Sequence, residues 1–362
     1  MLAAMQEAAR RLEVALLFGG RSGEHEVSLR SAASVMRALG ATHDVLPVWI
    51  DRAGAWRLQD GDAPATKGGT PVFLVPEPGD LGRLRRTADA TVAAAPDVYF
   101  PVLHGPYGED GTIQGLFEMA GVPYVGAGVA ASAAGMDKEL MKALFLAHGI
   151  PQVSYRILRG RNAEAEAEAL RALGLPVFVK PANLGSSLAV AKVKSASDFG
   201  KALDAALAYD RKAIVERAVL AREIEVSVLG NDRPEASRPG EIVPDREFYD
   251  YDSKYSDTSR TELHFPASLE PALEAEVKEL GVRAFRAIDA CGYARVDFFV
   301  ERPAGRVLVN EINTIPGFTS ISMYPKLWDA SGLVFPELIA RLVSLGLERH
   351  AARARLTTHY GA

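Results

Sequence analysis

Two stretches near the C-terminal end set acidic and amide side chains at the spacing of a β-strand. In residues 293–301, Arg295 and Asp297 fall on one face and Val296, Phe298 and Val300 on the other, because strand side chains alternate with a period of two. In residues 306–313, Glu311 and Asn313 share a face in the same way. The link Pro303-Ala304-Gly305 suits a three-residue hairpin loop, with Gly305 in the left-handed backbone that such loops need. In that register residues pair at a constant sum, which sets Asp297 opposite Glu311 and Arg295 opposite Asn313, with the carboxylates about 5 Å apart. Like charges facing each other across a ladder are best tolerated with a cation between them, and oxygen ligands of this kind suit a hard ion such as Mg²⁺. A solvated face on which both carboxylates pair with arginines is the alternative reading.

Lys180 closes an apolar run and leads into Pro181-Ala182-Asn183-Leu184-Gly185-Ser186-Ser187, whose backbone donors and two hydroxyls could fold over phosphates. The lysine precedes the glycine, so this is not a Walker A loop, and a plain surface turn would look the same. Glu223 and Glu225 share a strand face with Ser227, shortly after Glu216. Such carboxylates could grip ribose hydroxyls and an adenine amino group, or stand solvated. Gly19-Gly20-Arg21-Ser22-Gly23-Glu24 lies between a strand and a helix, but its spacing is not G-x-G-x-x-G. Glu24, His25 and Glu26 instead gather at a strand's carboxyl end, where open α/β sheets bind ligands, although capping by Ser22 or Glu24 is the simpler account. His104-Gly105-Pro106-Tyr107-Gly108-Glu109-Asp110-Gly111 repeats this placement, with glycines that let backbone approach a ligand.

These residues need elements to hold them. The apolar run 13–18, closed by Gly19-Gly20 and followed by an amphipathic helix over 28–39, reads as strand, loop and helix. Residues 45–50 and 98–103 repeat the strand pattern, and the Pro/Gly-rich stretch 61–79 between them reads as an exposed excursion, so the first third is a small open α/β domain. A helix over 137–147 is stopped by His148-Gly149-Ile150-Pro151, and Asn162 caps an Ala/Glu-rich helix that ends at Gly174. The β-rich runs 177–180, 189–193, 213–216 and 223–229 read as a small antiparallel sheet with helices on one face. The last third holds a tyrosine-rich loop at 245–261, a helix over 271–290 and the two strands described first. The fold class expected is α/β, α+β in parts, with domains at 1–136, 137–228 and 229–362 and the chemistry where the last two meet.

At 362 residues the chain exceeds what one hydrophobic core usually supports. With 48% apolar and 24% charged residues it has the profile of a soluble globular protein, and a net charge of −5 gives no nucleic-acid footprint. One cysteine, Cys291, excludes an internal disulfide framework, fits a reducing compartment and reads as a core thiol. The apolar run after Arg10 and Arg11 is too short for a signal-peptide core, and no stretch approaches a membrane span. A cytoplasmic protein without nucleic-acid or membrane partners is expected.

The stretches 19–29, 104–111, 180–187, 247–255 (Glu-Phe-Tyr-Asp-Tyr-Asp-Ser-Lys-Tyr) and 310–319 (Asn-Glu-Ile-Asn-Thr-Ile-Pro-Gly-Phe-Thr) together resemble the D-alanine:D-alanine ligase family, in the family's order and over nearly the whole chain. The resemblance implies a three-domain ATP-grasp architecture, with ATP between the middle and last domains and two D-alanines toward the first. It implies ATP-dependent synthesis of D-alanyl-D-alanine for peptidoglycan through a D-alanyl phosphate. It puts Lys138 and Lys180 on the α- and β-phosphates, Glu216 and Glu223 on adenine and ribose, and Ser186, Ser187, Lys254 and Asn310 also at the nucleotide. Asp297, Glu311 and Asn313 match the ligands of Mg²⁺ or Mn²⁺, usually two ions.

By the same resemblance Arg295 and the Gly317 N–H face the oxyanion, Glu24 receives the first D-alanine's ammonium, and His104 lies near its carboxylate. Ser322 and the backbone of Met323 match the site for the second carboxylate. Lys254 and Tyr255 fall on the closing loop 245–261, where Tyr255 joins Ser186 and Glu24, and a tyrosine there goes with D-alanine rather than D-lactate as second substrate. A homodimer is implied as well. Leu188-Ala189 departs from the family, which usually has a glycine two places beyond Gly-Ser-Ser, and 61–79 carries no family motif. Two other readings stay open: a ligase of the same chemistry acting on D-lactate or another amino acid, and a nucleotide-binding protein without the chemistry. The set Arg295, Asp297, Glu311 and Asn313 speaks against the second.

Overall fold

The computed structural model describes residues 11–185, 189–244 and 261–357, and its strands form three sheets. β1 (Glu13–Gly19) is apolar without alternation, as a strand covered on both faces must be, and leads through α1 (His25–Gly40) to its parallel neighbour β2 (Asp44–Ile50). The chain then folds back as β3 (Trp56–Leu58), β4 (Thr70–Leu74), β5 (Leu84–Arg86) and β6 (Val92–Ala94), before β7 (Val98–Pro101) returns to the other side of β1, again in parallel. Residues 61–79 are therefore not only an excursion, because β4 lies within them. The order β6-β5-β4-β3-β2-β1-β7 makes the carboxyl ends of β1 and β7 neighbours, and the loops after them carry Glu24 and His104.

α2 (Thr112–Ala120) covers one face of this sheet, packing Phe117 on Tyr99 and Tyr124, and α3 (Val129–Met136) and α4 (Lys138–Ala147) follow. Asp137 caps α4 by accepting from the N–H groups of Glu139 and Leu140 at 3.0 and 3.2 Å. β8 (Tyr155–Leu158), α5 (Ala163–Leu173), β9 (Val177–Pro181), β10 (Ala191–Val193), α6 (Ala196–Leu207) and β11 (Ala213–Arg217) build the second sheet, antiparallel in the order β10-β9-β11-β8, with both helices on its apolar face. Asn162 caps α5 as expected, accepting from Ala165 N–H at 2.9 Å.

The third sheet comprises β12 (Ala221–Gly230), β13 (Glu235–Ala236), β14 (Gly240–Val243), β15 (Glu262–His264) and, beyond α7 (Pro271–Ala287), β16 (Gly292–Glu301) and β17 (Val307–Asn313). α7 covers Ile224, Val226, Val296 and Phe298 on its inner face. Cys291 is half-buried just before β16. α8 (Met323–Asp329) and α9 (Phe335–Arg353) end the described chain, and α9 returns to the first sheet, where Leu338, Leu342 and Val343 share a core with Leu16, Phe18, Val98 and Phe100. Among the described residues no helix is long and apolar enough to cross a membrane.

Two further details differ from the sequence pattern. The strand at 223–229, read as part of the middle sheet, is β12, and it pairs along its whole length with β16 in the third. Half-buried strands look alike in either sheet, so only the partner's register decides. The hairpin joining β16 to β17 also departs from a constant sum. Glu301 N–H donates to Arg306 O at 3.0 Å, which lengthens the loop to residues 302–305, and pairing runs Val300 with Val307 and Phe298 with Val309. A bulge after Asp297 then takes up Asn310 and restores the expected pairs, Asp297 with Glu311 and Arg295 with Asn313.

Helix propensity alone favours replacing the buried Gly346 of α9 by alanine, by about 1 kcal/mol. A Cβ at that position would, however, lie 2.7 Å from the Tyr124 backbone oxygen and 3.2 Å from Val125 Cα. Gly346→Ala is expected to destabilise the protein by about 1–3 kcal/mol, lowering the melting temperature by a few degrees. A higher melting temperature would show that α9 does not lie this close to Tyr124.

Candidate active site

The third sheet arranges its polar side chains as two rows across three adjacent strands. Glu225 of β12 lies opposite Asp297 of β16, and Asp297 lies opposite Glu311 of β17. Two residues along, Ser227, Arg295 and Asn313 form the next row. Directly opposed residues point to the same face, so three carboxylates stand in line. At about 5 Å and an effective dielectric constant of about 20, each opposed pair costs about 3 kcal/mol. The Asp297–Glu311 pair was legible in the sequence, whereas Glu225's place beside it depends on the pairing of β12.

Cations lean on this row. The Arg295 guanidinium holds both Asp297 oxygens at 2.7 Å, and its Nε lies 3.1 Å from Glu225 Oε2. Burial works against the Arg295 charge, yet Asp297 and Glu225 outweigh it and hold its pKa above the ordinary arginine value. Lys138 Nζ lies 3.7 Å from Glu311 Oε2 and donates to Leu184 O at 2.8 Å. Asn313 Nδ2 donates to Asp297 Oδ2 at 3.2 Å.

A second cluster forms beside it. Lys138 and Lys142 stand one turn apart on α4, on the face that buries Met141 and Phe145. Lys142, fully buried, places Nζ 2.8 Å from Glu216 Oε1, while Lys180 of β9 places Nζ 2.6 Å from Oε2 of the same carboxylate. Burial pushes Glu216 up, but the two ammonium groups outweigh it and hold its pKa at about 2. Burial lowers the pKa of Lys142 and of Lys138, with Glu216 and Glu311 respectively opposing it most. Lys142 was not singled out in the sequence; its place in the apolar stripe between Met141 and Phe145 was the available signal. Behind Lys138, Lys212 Nζ donates to both Asp137 oxygens at 2.7 and 2.6 Å and to Glu139 at 2.8 Å, which fixes the start of α4.

A cavity of about 270 Å³ lies between the second and third sheets, lined by Lys138, Lys180, Glu216, Glu223, Asp297, Asn310 and the rings of Phe178 and Phe299. A smaller one of about 110 Å³ adjoins it, lined by Glu24, His104, Glu109, Arg295, Asn313, Gly317, Ser322 and Met323. Gly185, Glu225 and Glu311 line both. A Cβ on Gly185 would lie 3.1 Å from Glu24 Oε2 and 3.8 Å from Glu109 Oε1, so the loop after Lys180 runs directly against these carboxylates. At Gly317 a Cβ would meet Ser322 Oγ at 2.7 Å, so only backbone fits there.

The structure thus gathers Glu24, His104, Lys138, Lys180, Glu216, Glu223, Arg295, Asp297, Asn310, Glu311, Asn313, Gly317, Ser322 and Met323 around two joined cavities. Ser186, Ser187, Lys254 and Tyr255 lie outside the described residues. Glu24 makes no side-chain cap on α1. Ser22 instead ties the two loops, donating to His104 O at 2.6 Å and accepting from Glu24 N–H at 3.1 Å. Ala189 adopts a φ of 56°, a backbone that glycine takes without steric cost. Sequence reasoning passed over Glu109, whose carboxyl is pushed up to about 8 by burial and by the neighbouring Glu24.

Comparison with known proteins accords with this geometry. The family described as D-ala D-ala ligase N-terminus matches residues 13–127, and that described as D-ala D-ala ligase C-terminus matches residues 144–344. The chain is 50% identical over 359 residues to a D-alanine–D-alanine ligase of Heliobacterium modesticaldum, covering 95% of this chain and 97% of that one. It is 47% identical over 352 residues to a protein of the same name from Halothermothrix orenii, covering 93% and 99%. Among solved structures it resembles the D-alanine-D-alanine ligase of Coxiella burnetii, with a TM-score of 0.85, 37% identity and 96% and 97% coverage. It also resembles a D-Ala:D-Ser ligase of Enterococcus faecalis, with a TM-score of 0.84, 33% identity and 93% and 100% coverage.

The raised carboxyl of Glu109 has a consequence for stability. Below pH 4.5, its ordinary value, it is protonated folded or unfolded; as the pH rises toward 8 the unfolded chain ionises first, and the folded state loses stability across that window. Glu109→Gln removes this titration. In nucleotide-free protein the melting temperature of the variant relative to wild type is expected to climb between pH 4.5 and 8. A difference that stays constant with pH would contradict the raised pKa.

Proposed function

The chain belongs to the D-alanine–D-alanine ligase family, with its ATP-grasp fold, and from that premise we propose how its own residues carry out the ATP-dependent joining of two D-alanines. The observation that carries the account is the shared wall of Gly185, Glu225 and Glu311, which brings the larger cavity, lined by Lys138 and Lys180, against the smaller one, lined by Glu24 and Arg295. ATP takes the larger, with its phosphates toward Lys138 and Lys180 and its ribose toward Glu223. Asn310 lines the same cavity. Glu216, engaged by Lys142 and Lys180, lies at the adenine side and also keeps both lysines aimed inward. Ser186, Ser187 and Lys254 complete the nucleotide site in this reading.

The first D-alanine sits in the smaller cavity, its ammonium at Glu24 and His104 close by. Its carboxylate attacks the γ-phosphorus, the bond to the β-phosphate oxygen breaks, and ADP leaves with D-alanyl phosphate formed. The amine of the second D-alanine, held through its carboxylate by Ser322 and the Met323 N–H, then attacks the acyl carbon. Arg295 and the Gly317 N–H face the oxyanion of the tetrahedral intermediate, which collapses with loss of phosphate and of the amine proton. Glu24, Ser186 and Tyr255 hold the loop at 245–261 closed, which keeps water from the acyl phosphate. Tyr255 selects D-alanine as second substrate.

Asp297, Glu311 and Asn313 would hold the divalent cations, Mg²⁺ or Mn²⁺. Their fit rests on donor chemistry: two carboxylates and an amide at facing positions of one ladder form a hard oxygen set beside the phosphate lysines, although among the described residues no three His, Cys, Asp or Glu side chains meet as a metal cluster. When bound, such ions offset charge developing on the β- and γ-phosphates. We further propose three domains, with the second boundary near the start of β12 because that strand's pairings all lie in the third sheet, and a cytoplasmic homodimer supplying the dipeptide for peptidoglycan.

Incubation with ATP, Mg²⁺ and D-alanine as the only amino acid is expected to yield D-alanyl-D-alanine, ADP and phosphate in equal amounts. Arg295→Ala should lower kcat by about 10²–10³-fold, as loss of an oxyanion donor does, and Glu311→Gln should also lower it. No dipeptide at neutral pH, or unchanged turnover in either variant, would overturn the account.

A further inference from the structure

Two hydrogen bonds hold the segment around Gly317 from outside the third sheet, and a third links the side chains that make them. Ser31, fully buried on α1, accepts from the N–H of Phe318 at 3.1 Å, and its Oγ lies 3.1 Å from His104 Nε2. His104 Nδ1 lies 3.0 Å from Ile315 O. A carbonyl oxygen can only accept, so Nδ1 carries the proton, and in the neutral ring Nε2 is then an acceptor to which the Ser31 hydroxyl donates. Burial pushes the His104 pKa down, in keeping with this neutral tautomer.

The chain at 315–318 is therefore gripped on both sides of Pro316-Gly317, at Ile315 O and at Phe318 N–H. Proline fixes one dihedral between the two grips, and Ser322 leaves no room for a side chain at Gly317. The Phe318 ring, packed edge-on against Phe100 and Tyr324, holds the far side. Few degrees of freedom remain to the Gly317 peptide. Both of His104's ring nitrogens are committed to this arrangement, and Ser31 stands on the helix that starts just after Glu24.

We propose that Ser31 is a positioning residue which, together with His104, fixes the direction of the Gly317 N–H from the first sheet's layer. The inference rests on the reading of Gly317 as an oxyanion donor. It makes the placement of that donor depend on α1, so the element beside the first D-alanine's ammonium site also aims the group that meets the reacting carbonyl.

Ser31→Ala removes both of the serine's hydrogen bonds. It is expected to lower kcat for D-alanyl-D-alanine formation about tenfold to a hundredfold, less than outright loss of a donor, with KM for ATP and for both D-alanines within about threefold of wild type. Ser31→Cys, close in size but a weaker donor and acceptor, should fall between. A purely structural role would lower the melting temperature and leave kcat of the folded enzyme unaltered, which would overturn the proposal, as would a loss confined to KM. Should Ser31→Ala not fold, the cysteine variant decides by the same criteria. Wild-type enzyme that makes no dipeptide would refute the functional reading itself, whereas active wild type with an unimpaired Ser31→Ala would refute only this inference.

Discussion

Three carboxylates in line across neighbouring strands repel one another, and a sheet holds them there only if cations are kept against the row. Much of the site follows from that constraint. Arg295 projects from the same strand as Asp297, two residues away and on the same face, and reaches both Asp297 and Glu225. Lys138 comes from the first turn of α4, a turn itself fixed by Asp137 and Lys212. The opposite face of the strands, Val226, Val296 and Phe298 against α7, supplies the apolar burial that keeps the polar face in register. Cations that balance carboxylates also attract phosphate, and carboxylates that need balancing attract divalent ions. Both preferences arise from one arrangement of charge.

The proposed chemistry needs a second constraint, that the larger and the smaller cavity meet. The bulge at Asn310 sets Glu311 on the boundary, and the pairing of β12 with β16 sets Glu225 there. The first sheet approaches from the other side because β1 and β7 are adjacent and parallel, so the loops at their carboxyl ends present Glu24, His104 and Glu109 together. The return of α9 onto this sheet ties the end of the described chain to its beginning and keeps the two halves of the site in register.

What could be read from sequence follows from which interactions are local. Period-two alternation gives the faces of β16 and β17, and the cap at Asn162 gives one helix start, whereas Asp137, read as the first helical residue, is the cap of α4. The pairing of Asp297 with Glu311 follows from a three-residue loop, one residue shorter than the loop that forms; the bulge at Asn310 cancels the difference, and a bulge has no signature in residue pattern alone. Glu225 and the sheet membership of β12 depend on contacts with strands about 70 residues later, which alternation cannot report. β3, β5 and β6 have three residues each, too few to show a period. Lys142 and Glu109 look like surface charges until the tertiary fold buries them, and the D-alanine half of the reading came from family resemblance rather than from any pattern of charge.

The central claim is that the row Glu225, Asp297, Glu311 makes nucleotide binding depend on a divalent cation. Calorimetric titration of a non-hydrolysable ATP analogue, with and without Mg²⁺, tests it most directly on wild type, Asp297→Asn and Glu311→Gln. Mg²⁺ should tighten binding to wild type at least about tenfold, or about 1.4 kcal/mol, and most of that gain should vanish in either variant. Without Mg²⁺ the variants should bind at least as tightly as wild type, since each removes a negative charge facing the phosphates. An equal gain from Mg²⁺ in all three proteins would contradict the account.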